Sequence, residues 1–181
     1  MAAPQGIEAP STPLLAGEWR VVAADSELGF VTHILFGLVP VRGRYGDYAG
    51  ELHIDEQGTA SGSLRIDAAT VRTGIRKRDA HLRSADFFAV EQHPHMTVEL
   101  DALRPGADGA QTFTGTLHVR DQALAIEAPI SVEQVASDRL RVGADFELDH
   151  RRSGLAAAGS GWKKVPQKLG VHAALTLERA S

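Results

Sequence analysis

The sequence predicts an all-β fold, an antiparallel sandwich or barrel of about eight strands. Apolar and polar residues alternate with a period of two through most of the second half of the chain, and short turns separate the alternating segments. No long helical period interrupts that half, which argues against a βαβ fold. Eight such strands can close a barrel whose interior is filled by side chains or holds one apolar ligand.

In the first half, the first predicted strand covers 18–23 and a second extended segment covers 28–33. The continuously apolar run 34–39 follows, and its periodicity allows either a short helix or a buried loop that Pro40 ends. Glycines at 43 and 46 predict a bulge or sharp bend in the strand after it. The remaining strands predicted in this half are 41–48, 51–55 and 61–73.

The segment from Arg76 to Phe88 is the only densely charged run of the chain, and it ends in an aromatic pair. It has no apolar stripe wide enough for a long core helix, so we expect a short helix near residues 75–85. Its Arg and Asp side chains are expected to anchor the joint between the early and later strands, with Phe87 and Phe88 against apolar surface.

After His93-Pro94 the period-two alternation is regular, and it predicts strands that present their apolar residues to one face. A small, glycine-containing insert at 156–164 precedes the last strand. The strands of this half are centred on 96–101, 113–119, 124–132, 140–148 and 168–179.

Composition excludes several classes of protein and site. The net charge of −4 argues against a general nucleic-acid binder. Absence of cysteine excludes disulfides, thiolate metal sites and cysteine nucleophiles. No run approaches the roughly 18 apolar residues of a membrane span, so no stable membrane insertion is expected. No nucleophile elbow or phosphate-binding glycine loop is present, and no cofactor is predicted.

Residues 1–17 are expected to form a flexible lead-in, and 18–181 a single domain. The lead-in has no basic region followed by an apolar run, so it is not a secretory signal. A cytoplasmic location follows if the chain starts at its native residue. A leader removed before residue 1 would instead make the protein periplasmic or secreted.

Histidine is frequent enough to suggest a metal site, with His33, His81, His93 and His95 as candidate ligands. Their spacing is poor, because Pro94 separates the only close pair, and structural hydrogen bonds are the favoured interpretation. No metal is therefore predicted.

Arg78, Asp79 and His81 can alternatively be read as an acid–base cluster, but charge-assisted hydrogen bonds to strand ends explain them better. No catalytic residue is predicted. Basic residues in the connections can also hold an anionic head group if they gather at one barrel end, although ordinary solvated charge is the simpler interpretation for each. These residues are Arg76, Lys77, Arg78, Arg151, Arg152, Lys163 and Lys164.

The order of motifs resembles the YceI-like family of lipocalin-type polyisoprenoid-binding proteins. The segment Arg78-Asp79-x-His81-Leu82-x-Ser84-x-Asp86-Phe87-Phe88 is its most specific part, and the resemblance runs from about Glu18 to the C-terminus. It implies an eight-stranded antiparallel lipocalin-like barrel with a short helix near 75–85. It also implies an apolar lumen that binds a polyisoprenoid, isoprenoid quinone or fatty-acid-like lipid, without an established catalytic reaction.

The apolar faces of the strands therefore carry the predicted function, binding or transport of a lipid-like ligand. Small residues on these faces, such as Ala128, Ala144, Ala173 and Gly115, can leave room for an apolar tail. Two alternatives remain: an enzyme acting on a lipid or quinone through the His33/His81 region, and a solidly packed stress-response module without a ligand. A two-fold homodimer is the default expectation. The predicted lumen residues are Phe30, Leu64, Ile66, Met96, Val98, Leu117, Ile126, Ile130, Val142 and Phe146.

Overall fold

The structure is a computed structural model that describes residues 15–34, 37–106, 110–151 and 160–180. Within these ranges the fold consists of ten strands, one α-helix and short 3₁₀ turns. The predicted lead-in up to residue 14, and residues 156–159 of the predicted insert at 156–164, lie outside the described residues. The elements are β1 (Gly17–Val21), β2 (Glu27–Ile34), β3 (Val39–Arg44), β4 (Tyr48–Ile54), β5 (Ala60–Asp67), α1 (Arg76–Arg83), β6 (His95–Pro105), β7 (Gln111–Val119), β8 (Gln122–Ala136), β9 (Arg139–Asp149) and β10 (Lys168–Arg179).

The strands form a closed antiparallel barrel, which confirms the predicted fold class. The order is β1-β4-β5-β6-β7-β8-β9-β10, and β10 pairs back with β1 to close it. A 3₁₀ turn at Ala23–Asp25 separates β1 from β2, yet both strands pair along β10. The hairpin of β2 and β3 therefore continues the barrel wall beyond β1 and β4, and β3 is its edge strand.

One end of the barrel, which we call the closed end, is filled by side chains. Trp19 is fully buried there and packs in a cluster with Ile54, Ala60, Leu140 and Leu177. Its indole Nε1 donates to the carbonyl of Leu15 at 3.3 Å, so the one polar atom of this large side chain has a partner. The turns between β4 and β5 and between β8 and β9 lie at this end.

The opposite end, which we call the mouth end, carries the longer connections. These are the β2–β3 hairpin, the segment from β5 through α1 to β6, the β7–β8 turn and the connection from β9 to β10. Arg83 donates to the carbonyls of Ala69 and Val71, and Arg120 of the β7–β8 turn donates to those of Ala85 and Phe87. Arg120 thus fastens the α1 segment to the β7–β8 turn, while Arg83 holds α1 against the stretch that follows β5.

The short helix is confirmed at Arg76–Arg83, with Ser84 as its C-cap. The prediction for 34–39 is wrong for the residues that the structure describes. Ile34 ends β2, Gly37 and Leu38 lie in the hairpin turn, and Val39 begins β3. Leu38 is 81% exposed, because the hairpin tip lies beyond the packed part of the barrel. Pro40 continues β3 without breaking it, as proline can on an edge strand.

The strand predicted over 61–73 is also shorter than expected. β5 ends at Asp67, whose carboxylate accepts from the backbone of Ala69 and so starts a 3₁₀ turn at Ala68–Thr70. The last strand, 168–179, has the predicted bounds.

Candidate functional site: an apolar cavity

An apolar cavity of about 520 Å³ occupies the barrel between the closed end and the mouth end. Voids in a packed core are normally little larger than a water molecule, so a cavity of this size is not a packing defect. It falls within the range of sites that hold small molecules. The alternative of a solidly packed barrel is therefore wrong. All ten residues predicted for the lumen line the cavity, although their contact with a ligand stays a prediction.

The cavity exists because small residues occupy several inward positions of adjacent strands. Ala144 of β9 is the cross-strand partner of Ala173 of β10, and both line the cavity together with Ala128 of β8. The fourth small residue, Gly115, has a different role, because the ring of Phe113 lies over its α-carbon. A Cβ at Gly115 would clash with the backbone carbonyl oxygen of Glu99 as well as with that ring, so this position is closed to a side chain.

Aromatic side chains form the cavity wall near the mouth end. The ring of Tyr45 lies 6.1 Å from that of Phe30 and 6.3 Å from that of Phe88, in tilted and edge-on arrangements. Phe87 and Phe88, which follow α1, are buried and line the cavity with Leu82. The aromatic pair thus packs against apolar surface as expected, and the α1 segment closes part of this end.

Among the polar side chains that line the cavity, two lie on or directly after the β2–β3 hairpin. Thr32 of β2 is buried and lines the cavity, and its Oγ1 has no hydrogen-bond partner among the described residues. Tyr45 also lines the cavity, and desolvation by burial raises the pKa of its phenol. Sequence reasoning did not select either residue as a candidate. The alternation along β2 could have identified Thr32, because it follows Leu28 and Phe30 at intervals of two residues and therefore faces the same side of the strand.

The charged residues of α1 are held by the segment that precedes the helix. The carboxylate of Asp79 is buried and accepts from the backbone nitrogen and hydroxyl of Thr73, at 2.8 and 2.5 Å. Arg78 donates to the hydroxyl and carbonyl of the same threonine. These bonds are structural, as expected, but they join α1 to the connection that precedes it and not to a strand end.

The histidines proposed for an enzyme occupy different faces. His33 is exposed between Thr32 and Ile34, which line the cavity, so it lies on the outer face of β2. His81 lines the cavity, packs edge-on against Phe87 and lies 3.0 Å from a carboxylate oxygen of Asp86. The other Asp86 oxygen accepts from Ser160 at 2.7 Å. Aspartate thus lies between serine and histidine, which is not the order that activates a serine nucleophile.

The described part of the chain brings no three metal-ligating side chains together. His93 lies 3.9 Å from Asp121, and His95 is exposed at the start of β6.

The predicted anion-binding residues only partly gather. Arg78 lines the cavity, whereas Arg151 donates to the carbonyl of Val165. Arg76, Lys77 and Lys163 are exposed. Arg152 lies outside the described residues.

With this geometry in place, comparison with known proteins identifies the family. The sequence profile of the YceI-like domain matches residues 19–177. The chain belongs to the YceI-like family. Among curated relatives, a UPF0312 protein of Pseudomonas aeruginosa strain LESB58 is 34% identical over 77 residues, which cover 41% of this chain and 40% of the relative. Protein YceI of Escherichia coli O17:K52:H18 (strain UMN026) is 27% identical over 119 residues, covering 65% of this chain and 58% of that protein.

Solved structures of similar fold share lower identity. BcnA of Burkholderia cenocepacia superposes with a TM-score of 0.75 at 20% identity, covering 86% of this chain and 98% of BcnA. A polyisoprenoid-binding domain of Saccharophagus degradans, implicated in plant cell wall breakdown, gives 0.73 at 20% identity, covering 90% and 98%. These likenesses show the shared barrel fold. No helix in the described ranges is long and apolar enough to cross a bilayer.

Proposed function

We propose that this protein binds and carries a long-chain amphiphile, a polyisoprenoid, isoprenoid quinone or fatty-acid-like lipid, in the barrel cavity. The observation that carries the proposal is the cavity itself, about 520 Å³ lined almost entirely by apolar side chains. Burial of apolar ligand surface stabilises a complex by about 25 cal/mol per Å², less the cost of association. An apolar tail therefore binds such a site with few polar contacts.

The family and one structural relative support a lipid-like ligand. The Saccharophagus degradans domain is described as polyisoprenoid-binding, and it shares this barrel. In the present chain, Thr32 supplies a hydroxyl inside the cavity that has no hydrogen-bond partner in the described part of the chain. It is placed to hydrogen-bond a single polar group of an otherwise apolar ligand.

We propose no catalytic step. The remaining enzymatic alternative rests on His81, since His33 lies on the outer face of β2. Replacing His81→Gln separates the two functions: loss of turnover of a lipid or quinone with ligand retained would favour the enzyme. The homodimer stays a prediction, as does a cytoplasmic location.

Adjacent alanines of β10 provide a matched test. Ala173 lines the cavity, and Ala174 beside it is exposed on the outer face. We expect Ala173→Phe to weaken binding of a fluorescent prenyl or acyl probe about tenfold. Its ring displaces the equivalent of at least two ligand methylenes, at about 0.8 kcal/mol each. Ala174→Phe should leave binding unchanged.

Native mass spectrometry of the purified protein, before and after organic extraction, provides the direct measurement. A mass increment lost on extraction and restored by an added amphiphile is the expected result. Absence of any amphiphile binding in the wild type, or equal probe affinity in Ala173→Phe and Ala174→Phe, would overturn the proposal.

A further inference from the structure

Exposed apolar side chains are concentrated at the mouth end. Of the six large hydrophobic residues that are exposed in the described part of the chain, four lie on the β2–β3 hairpin or at the start of α1. These four are Ile34, Leu38, Val39 and Ile75, and Leu38 and Ile75 are 81% and 53% exposed. Ile34 also lines the cavity, so the exposed apolar surface is continuous with its interior.

Basic side chains surround this apolar surface. Arg42 and Arg44 project from the outer face of β3, and Arg44 pairs with Arg72 through two backbone hydrogen bonds of 2.9 Å. Arg76 and Lys77 begin α1. None of these five cations has a carboxylate within salt-bridge distance among the described residues. The acidic residue of α1, Asp79, is buried against Thr73.

At the closed end some cations have carboxylate partners, whereas Arg104 and Arg141 have none among the described residues. Arg139 there is paired with Glu178 and Asp25, and Arg20 lies 3.7 Å from Glu51. The whole chain carries a net charge of −4, so the cluster of cations on β3, at Arg72 and at the start of α1 is a local feature. A surface of apolar side chains ringed by unpaired cations matches the boundary of an anionic bilayer, with its negative head groups above acyl chains.

We propose that the mouth surface, formed by Ile34, Leu38, Val39 and Ile75 with Arg42, Arg44, Arg72, Arg76 and Lys77, docks the protein on anionic phospholipid membranes. The proposal builds on the carrier function, since docking would place the cavity mouth against the bilayer from which a lipid is taken. The protein lies on the membrane in this arrangement and does not cross it. The apolar tips enter the head-group region while the five cations face lipid phosphates.

The chain offers a closely matched pair of triple variants. The mouth variant Leu38→Ser/Arg42→Gln/Arg44→Gln removes one exposed apolar residue and two unpaired cations. The control Val135→Ser/Arg104→Gln/Arg141→Gln makes the corresponding changes at the closed end, one exposed apolar residue to serine and two exposed arginines, without carboxylate partners among the described residues, to glutamine. All six side chains are exposed, so both variants should fold, as thermal unfolding will check.

Vesicle co-sedimentation provides the measurement, with phosphatidylcholine–phosphatidylglycerol vesicles against pure phosphatidylcholine. We expect the wild type and the control to bind the anionic vesicles, with weaker binding at high salt. The mouth variant should lose at least about 25-fold in partitioning, from roughly fivefold for each cation removed.

No partitioning of the wild type, or equal partitioning of the two triple variants, would overturn docking. A mouth variant that partitions normally but changes a dimer into a monomer in light scattering would also overturn it, and would assign the surface to a second copy of the chain. Native mass spectrometry on the same proteins separates the proposals. Amphiphile retained without vesicle binding refutes docking alone, whereas vesicle binding without amphiphile uptake refutes the carrier function alone.

Discussion

At the closed end, Trp19, Ile54 and Leu140 fill the space between the strands, whereas inward residues nearer the mouth end face a cavity. The strands are shared by both ends and alternate in the same way. The difference lies in side-chain size and in the connections. A buried tryptophan fills one end, while small residues such as Ala144 and Ala173 leave space in the middle, and the α1 segment covers only part of the other end. Alternation of apolar and polar residues thus produces the strands of the barrel wall. The volume of the inward side chains decides whether the interior is a packed core or a cavity.

The largest expected effect is at the closed end. Trp19→Ala should lower the free energy of unfolding by about 3–5 kcal/mol, because a fully buried side chain leaves a cavity behind. Phe146→Ala should lower the free energy of unfolding less, by about 1–2 kcal/mol. The Phe146 ring faces the cavity, so one of its sides already lacks packing partners. Urea unfolding measures both. Equal costs would refute the contrast between a packed end and an open cavity.

A smaller effect is expected at the mouth end, from the buried carboxylate of α1. Asp79→Ala removes the acceptor for the backbone and hydroxyl of Thr73, and should cost about 2 kcal/mol. The control Asp121→Ala, at an 85% exposed carboxylate, should cost less than about 0.5 kcal/mol. Unchanged stability with lost probe binding in Asp79→Ala would show that this segment serves the ligand more than the fold.

The smallest effect concerns the pH dependence of stability. Burial raises the pKa of Tyr45 above its ordinary value near 10. The stability that the neutral phenol contributes is fully present below the unfolded-state pKa and is lost as pH rises through the folded-state pKa. Tyr45→Phe should therefore show a shallower fall in melting temperature than wild type above about pH 10.

The chain has two tyrosines, so ultraviolet titration of Tyr48→Phe reports Tyr45 alone. Phenolate formation near pH 10 would mean that water reaches the Tyr45 hydroxyl freely, and that the mouth end is more open than its packing indicates.

The strand faces were predictable from sequence because alternation is local. The inward phase of Leu64 and Ile66, for example, follows directly from their alternation with Arg65 and Asp67. The same reasoning could have placed Thr32 and Tyr45 in the cavity, but selection by hydrophobicity passed over them. A polar residue that lines an apolar cavity can be recognised from its position in the alternating pattern. Its residue type alone does not indicate that it is buried.

Long-range features were not predictable in the same way. The run 34–39 is apolar, yet Leu38 is exposed because nothing in the described structure packs over the hairpin tip. Arg120 gave no signal either, since its hydrogen bonds reach the carbonyls of Ala85 and Phe87, more than 30 residues earlier in the chain. The break between β1 and β2 was visible in the sequence, but the pairing of both strands with β10 gave no local signal.

That pairing of β10 with β9, β1 and β2 also sets an order for folding during synthesis. The backbone nitrogen of Thr176 donates to the hydroxyl of Ser26, a contact between residues 150 positions apart. Pairing of such separation carries a large loop-closure cost and slows folding. The edges of β1 and β2 that await β10 stay unpaired while the ribosome translates the intervening strands, and such edges promote aggregation. We therefore expect the barrel to stay open at the edges of β1 and β2 until β10 has been synthesised.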